Sequence, residues 1–143
     1  MNQVSKTVNL DSLDLAFESI QSCFGYVDYI TAQIQRLIAA YNNGDIEEAN
    51  DHFVEVIELM DLYIQLITKV YSVLRNELKN LSFKDEGIQK LEIHLLSVMK
   101  ALLQAKEKED IIMLCDLLEY ELIDNLTQWK IKVLPELKKL KNS

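Results

Sequence analysis

Helix breakers are nearly absent from this chain: glycine occurs three times and proline once in 143 residues. That scarcity argues against a loop-rich or sheet-rich fold, and the abundance of Leu, Ile, Glu and Lys favours long helices. Cysteine is limited to Cys23 and Cys115, far apart in sequence and each inside an apolar helical pattern. The expected state is two free core thiols in a reducing, cytoplasmic compartment rather than a disulfide. No apolar run approaches the ~20 residues of a membrane span. Met1 to Asn9 lacks the charged start and apolar run of a signal peptide. Positive charge is also short: the net charge is −8. That disfavours non-specific nucleic-acid binding and adsorption to anionic lipid, both of which need a basic surface.

What is present fits one domain over residues 1–143. Hydrophobic residues make up 49% and charged residues 27%, ordinary globular usage that excludes disorder. The periodicity predicts an all-α, antiparallel up-down-up-down four-helix bundle with helices over about 12–41, 46–78, 86–105 and 111–140. Helix 1 carries a seam of Leu13, Ala16, Ile20, Cys23, Val27, Ile30, Ile34, Leu37 and Tyr41, capped by Asp11 or Ser12. Gly25 weakens it and suggests a close helix contact. Asn42-Asn43-Gly44 closes it. Asp45 then caps helix 2, with Glu48 completing a capping box.

The expected seam of helix 2 is Ile46, Ala49, Phe53, Ile57, Met60, Ile64, Ile67, Tyr71, Leu74 and Leu78. Leu81 and Phe83 are expected over the bundle end, and Asp85 caps helix 3. Helix 3 presents Ile88, Leu91, Leu95, Val98 and Leu102, widened by Met99 and Leu103. Lys106 to Asp110 makes a turn, because a single helix from Ile88 to Leu140 would leave a long apolar face uncovered. Helix 4 presents Cys115, Leu118, Leu122, Trp129, Val133, Leu137 and Leu140. Pro135 is expected to kink it or end its regular part near Val133.

Two features exceed a plain bundle. Residues 1–68 hold eleven acidic and two basic groups, and residues 69–143 hold twelve and thirteen. Acid crowds the starts of helices 2 and 4, and base their ends. This complements the helix dipoles; it also offers an acidic end to a basic partner segment. The second feature is a row opposite the helix 2 seam: Leu59, Leu62, Leu66, Val70 and Val73. Three readings stay open: a helix 2 buried on both sides, a homodimer seam, or a groove for another protein's helix. Tyr26 and Tyr29 lie off the helix 1 seam, where they can flank such a surface.

Catalytic chemistry has little to stand on. His94 follows Leu91, so the Glu-x-x-His of di-iron bundles is missing. His52, with Glu48 four before and Glu55 three after, is the one metal-like spacing, and it also fits a solvated acidic face. No phosphate loop occurs. No catalytic residue, metal or cofactor is therefore expected. The leading function is a non-catalytic interaction protein, a homodimeric adaptor or a chaperone of another helical protein. The alternative is a metal-binding or enzymatic bundle using Glu48, His52 and Glu55.

The stretch AAYNNGDIEEANDHFVEVIELMDLYIQLI, from Ala39 to Ile67, and the stretch DLLEYELIDNLTQW, from Asp116 to Trp129, resemble an uncharacterised family of small all-helical proteins of Gram-positive bacteria. That resemblance implies a helical fold and a bacterial setting, and no activity. In architecture alone the chain is similar to flagellin export chaperones, small acidic bundles with a late Trp. Their N-terminal Tyr-containing segment has no counterpart in Met1 to Asn9.

Overall fold

A computed structural model describes residues 2–78 and 86–142, with side chains over 12–78 and 87–142. Every element is helical, and no strand occurs among the described residues. Three helices, α1 (Asn2–Asn42), α2 (Ile46–Glu77) and α3 (Glu86–Glu107), precede a fourth helical rod, α4, over 111–142. No helix is long and apolar enough to cross a membrane, among the described residues. The expected positions of Leu81, Phe83 and the Asp85 cap lie outside those residues.

The α1–α2 turn follows from Gly44. Its φ of 75° places it in the left-handed region. The Asp45 N–H then reaches back to the Ala40 carbonyl at 3.1 Å, and the Gly44 N–H to that of Tyr41. This pair of bonds is the Schellman closure of a helix. Asp45 caps α2 by accepting from the Glu48 N–H at 3.1 Å. The Glu48 carboxylate does not complete a capping box, because it turns along the helix to His52.

The α3–α4 turn repeats the same device with different residues. Asp110 N–H donates to Ala105, and Glu109 N–H to Lys106. The left-handed position is held by Glu109, at φ 55°. Asp110 caps the next helix through the Met113 N–H. Asn43-Gly44-Asp45-Ile46 and Lys108-Glu109-Asp110-Ile111 are thus two versions of one turn.

Several boundaries and surfaces differ from the sequence expectation. Helix α1 begins at Asn2, so Asp11 and Ser12 lie inside it; nothing between Asn2 and Leu10 is a glycine or a proline. A Cβ built on Gly25 meets nothing within 4 Å, so no close helix contact explains that glycine. Helix α3 reaches Glu107, and Leu103 is exposed rather than part of the core.

The main correction concerns α2. Its buried line is Ala49, Phe53, Val56, Met60, Tyr63, Ile67, Val70 and Leu74. Val56, Tyr63 and Val70 occupy the centre assigned to Ile57, Ile64 and Tyr71, which sit half-buried on one shoulder. Leu59, Leu66 and Val73 form the other shoulder, also packed on the core. The helix has one very broad apolar arc rather than two opposite faces, because positions three and four apart stack together while adjacent rows lie only ~100° round. Within the row Leu59, Leu62, Leu66, Val70 and Val73, only Leu62 is exposed, and Val70 is core.

In α4 the leucines fall every four residues: Leu114, Leu118, Leu122 and Leu126 are all at most 1% exposed. A regular α-helix overshoots by about 40° at each such step and would carry this row off the core. The backbone absorbs the excess in two π turns, Leu117–Leu122 and Trp129–Val133. Each takes up about one extra residue. Pro135, with no N–H to give, lies two residues beyond the end of the second. The expected disturbance near Val133 is this π turn, and the rod continues beyond it to Asn142.

Helix α1 packs closely against α2 and α4, and α3 against α4. Contacts between α2 and α3 are sparse along most of their length. At one end Lys106 of α3 bonds Asn50 and lies over the Phe53 ring.

Candidate interaction groove and aromatic cleft

Two concave surfaces flank α2. The first runs between α1 and α2 and is lined almost wholly by carbon: Tyr26, Tyr29, Ile30, Leu59, Leu62 and Leu66, with Tyr63 behind them. Its volume is about 270 Å³. Tyr26 is 48%, Tyr29 50% and Leu62 62% exposed. The broad arc of α2 produces this groove: Leu59 and Leu66 are half-buried along its floor, and Leu62 stands exposed between them. Three of the five residues singled out on α2 thus meet the two tyrosines of α1. Val70 and Val73 do not join them. Acid lines the same helix: Asp51, Glu58 and Asp61 are exposed and Glu55 half-exposed, and none of the four pairs with a lysine or arginine among the described residues.

The second surface is a cleft of about 260 Å³ between α2 and α3. Its walls are Ile64, Ile67, Tyr71, Ile88 and Leu95, with Arg75 and Glu92 at its edge. Trp129 of α4 forms its base. The indole meets Tyr63 edge-on at 5.9 Å and 90°, and Tyr71 at 6.4 Å and a 39° tilt. Such offset contacts between aromatic rings fix the indole's orientation. Trp129 Nε1 and Tyr63 Oη are both buried and have no hydrogen-bond partner among the described residues. Leaving such a group unsatisfied costs about 1–3 kcal/mol. Burial, and after it the Glu92 carboxylate that its hydroxyl engages, pushes the Tyr71 phenol pKa up. Burial pushes Tyr63 up as well.

A polar network anchored on one buried side chain joins α3 and α4. Asn125 is fully buried and donates to the Leu91 carbonyl at 3.1 Å. The same amide nitrogen lies 2.9 Å from His94 Nδ1, and His94 Nε2 lies 2.8 Å from the Glu121 carboxylate. The Leu91 carbonyl fixes which end of the amide is nitrogen. Nδ1 therefore accepts, and Nε2 carries the hydrogen donated to Glu121. Sequence reasoning passed over this network. Its signal was a polar Asn125 among the leucines of α4.

The metal-like triplet has a different geometry from a ligand set. His52 Nε2 meets Glu48 at 3.3 Å, and Nδ1 meets Glu55 at 3.9 Å. The two carboxylates take opposite sides of one ring and do not converge on a shared point. No group of three His, Cys, Asp or Glu side chains among the described residues is placed to hold a metal ion. Cys23 and Cys115 are free. Cys23 is fully buried, and desolvation pushes its thiol up to about 11.

The chain belongs to the DUF8042 family, a domain of unknown function, whose model covers residues 18–132. No curated protein and no solved structure matches the chain.

Proposed function

We propose that this protein is a non-catalytic interaction module, an adaptor or chaperone that holds a partner's helix in the groove between α1 and α2. The observation that carries this reading is the exposure of Tyr26, Tyr29 and Leu62 along one carbon-lined groove. Tyrosines of this kind supply large contact areas at low entropic cost and dominate many interfaces. An up-down-up-down order of the four rods supports it, since the groove then runs the length of an antiparallel α1–α2 pair. The short Gly44 turn and the Asn50–Lys106 contact favour that order. The free thiols of Cys23 and Cys115 suit a reducing, cytoplasmic setting.

Charge selects the occupant. Residues 1–68 carry eleven acidic and two basic groups, so a second copy would bring acid against acid. The fitting partner is a helix with an apolar stripe flanked by lysine or arginine. The test uses an 18-residue Leu/Lys amphipathic peptide and its Leu/Glu counterpart, with binding read by fluorescence anisotropy. Leu62→Gln removes the most exposed leucine without adding charge. The expected result is binding of the Leu/Lys peptide alone, weakened about tenfold or more by Leu62→Gln, as loss of one leucine's burial implies. Light scattering after size exclusion covers the second reading, a homodimer. A wild-type dimer that Leu62→Gln turns into a folded monomer would give the groove to a second copy. Peptide binding and molar mass both indifferent to Leu62→Gln would remove the interaction reading.

A further inference from the structure

We propose that α3 is itself a helix of the kind the α1–α2 groove takes, so that the groove of one copy of this chain docks α3 of the next. The assignment rests on the groove holding a basic amphipathic helix. Groove against groove would set acid on acid and disfavours a symmetric pair; a different face of the second copy meets no such barrier. The outer face of α3 exposes Ile93, Leu96 and Leu103, at 67%, 58% and 51%. At those spacings they fall within about 80° of arc on an α-helix. Lys100 lies inside that arc, and Lys90 lies about 60° to one side of Ile93. Both lysines are exposed, and neither pairs with a carboxylate among the described residues. From Gly87 to Lys106 the helix holds three lysines and one acid, Glu92, whose carboxylate the Tyr71 hydroxyl engages.

The groove carries the complementary pattern. Glu58 stands one turn and Glu55 two turns before the exposed Leu62, on the same face of α2, with Asp61 beside it. The first base of α2 is Lys69, beyond Leu66. Exposed apolar side chains elsewhere match this acid less well. Leu15 of α1 is flanked by exposed Asp14 and Glu18, and Tyr120 of α4 by Asp116, Glu119 and Asp124. Ile131 lies between two lysines but has no exposed apolar neighbour three or four residues away. A chain cannot fill its own groove, because the Asn125 bond to the Leu91 carbonyl and close packing hold α3 on α4. Groove and stripe share no residue, so the contact is heterologous, and each added copy leaves one free groove and one free stripe. Charge steers this contact and the leucines and isoleucine supply its burial.

Sedimentation velocity on the full chain reads the outcome. Wild type is expected to grow beyond the 16.6 kDa of one chain as its concentration rises towards about 1 mM. Leu62→Gln and Ile93→Gln are each expected to weaken association about tenfold or more, as loss of one apolar side chain's burial implies. An equimolar mixture of the two variants is expected to pair one to one and stop there. The Leu62→Gln chain still offers its stripe, and the Ile93→Gln chain its groove. Both positions are exposed, so neither change removes core packing, and circular dichroism melts verify that both variants fold. Ile93→Gln leaves the groove whole and is expected to bind the Leu/Lys peptide at least as tightly as wild type. A wild-type chain that stays single up to about 1 mM while the peptide binds would overturn the proposal and leave the groove reading standing. If the peptide fails to bind as well, both fall. Association that Ile93→Gln leaves untouched, or a mixture no more associated than either variant alone, would also overturn it.

Discussion

The two inter-helix turns offer a paired test of how far backbone conformation alone controls stability. Gly44 and Glu109 occupy the same left-handed position in equivalent turns, at φ 75° and 55°. A residue with a Cβ pays about 1–2 kcal/mol there, and glycine does not. Glycine returns part of that advantage, about 0.5–1 kcal/mol, through the greater freedom of its unfolded chain. The net difference is about 1 kcal/mol per site. No atom lies within 4 Å of a Cβ built on Gly44, so Gly44→Ala acts through φ and not through a clash. The Glu109 side chain is exposed and makes no hydrogen bond or ion pair among the described residues, so Glu109→Gly sacrifices no contact. Gly44→Ala is expected to lower the melting temperature by about 3–4 °C and Glu109→Gly to raise it by a similar amount, for a chain of this size. The double variant should fall close to wild type. Thermal melts followed at 222 nm, with urea titrations for the free energies, measure all three. A Glu109→Gly protein no more stable than wild type would refute the assignment of strain to that turn.

Three further outcomes follow from buried groups. Asn125→Ala removes the bonds to Leu91 and His94 and leaves a small cavity, and should cost about 2–3 kcal/mol in urea titration. His94→Ala should cost less, and the double variant should fall short of the sum, because the two side chains share one network. Cys23 keeps its proton in the folded chain to about 11 against an ordinary 9.0. Its contribution is therefore complete below pH 9 and is lost as pH rises towards 11, where only the unfolded thiol ionises. Between pH 8 and 10.5 stability should drop by up to about 2 kcal/mol from this group, with Tyr63 and Tyr71 adding to the fall above 10, and Cys23→Ala should remove the thiol's share. Cys115, half-buried, should react with a thiol reagent in the native protein while Cys23 reacts only on unfolding.

The all-helical class, the four rods and both turns were legible: helical periodicity, Gly44 and the Asp45 cap are local signals, and an unbroken helix through Lys106–Asp110 would have left a long apolar face uncovered. The α1 seam was equally plain, since its apolar residues are sparse enough to define one line. Helix α2 was not, because its second half is apolar at too many positions. Ile57 or Val56, Ile64 or Tyr63, and Tyr71 or Val70 can each form a seam, and only the placement of α1 and α4 decides. The groove was partly legible: Leu59, Leu62 and Leu66 stood out as surplus and Tyr26 and Tyr29 as residues able to flank them, while their meeting depends on how α1 packs against α2. The cleft depends on Trp129 meeting Tyr63 and Tyr71 from another helix, and no spacing within one segment encodes that. The π turns had a signal in the four-residue interval of Leu114, Leu118, Leu122 and Leu126, but the expected seam began at Cys115 and passed over Leu126.

Those π turns make the last helix a place where chain length is adjustable inside a regular element. A π turn is what remains when one residue is inserted into a finished helix and the surrounding core refuses to rotate. Removing a single residue from Leu117–Leu122 would convert the turn to ordinary helix and leave everything beyond it in its present register. Leu126, Trp129 and Leu137 would keep their places in the core. Relatives of this chain that keep the core should therefore tolerate a one-residue gap there only if the leucine interval next to it contracts from four to three, so that insertion and spacing change as a linked pair.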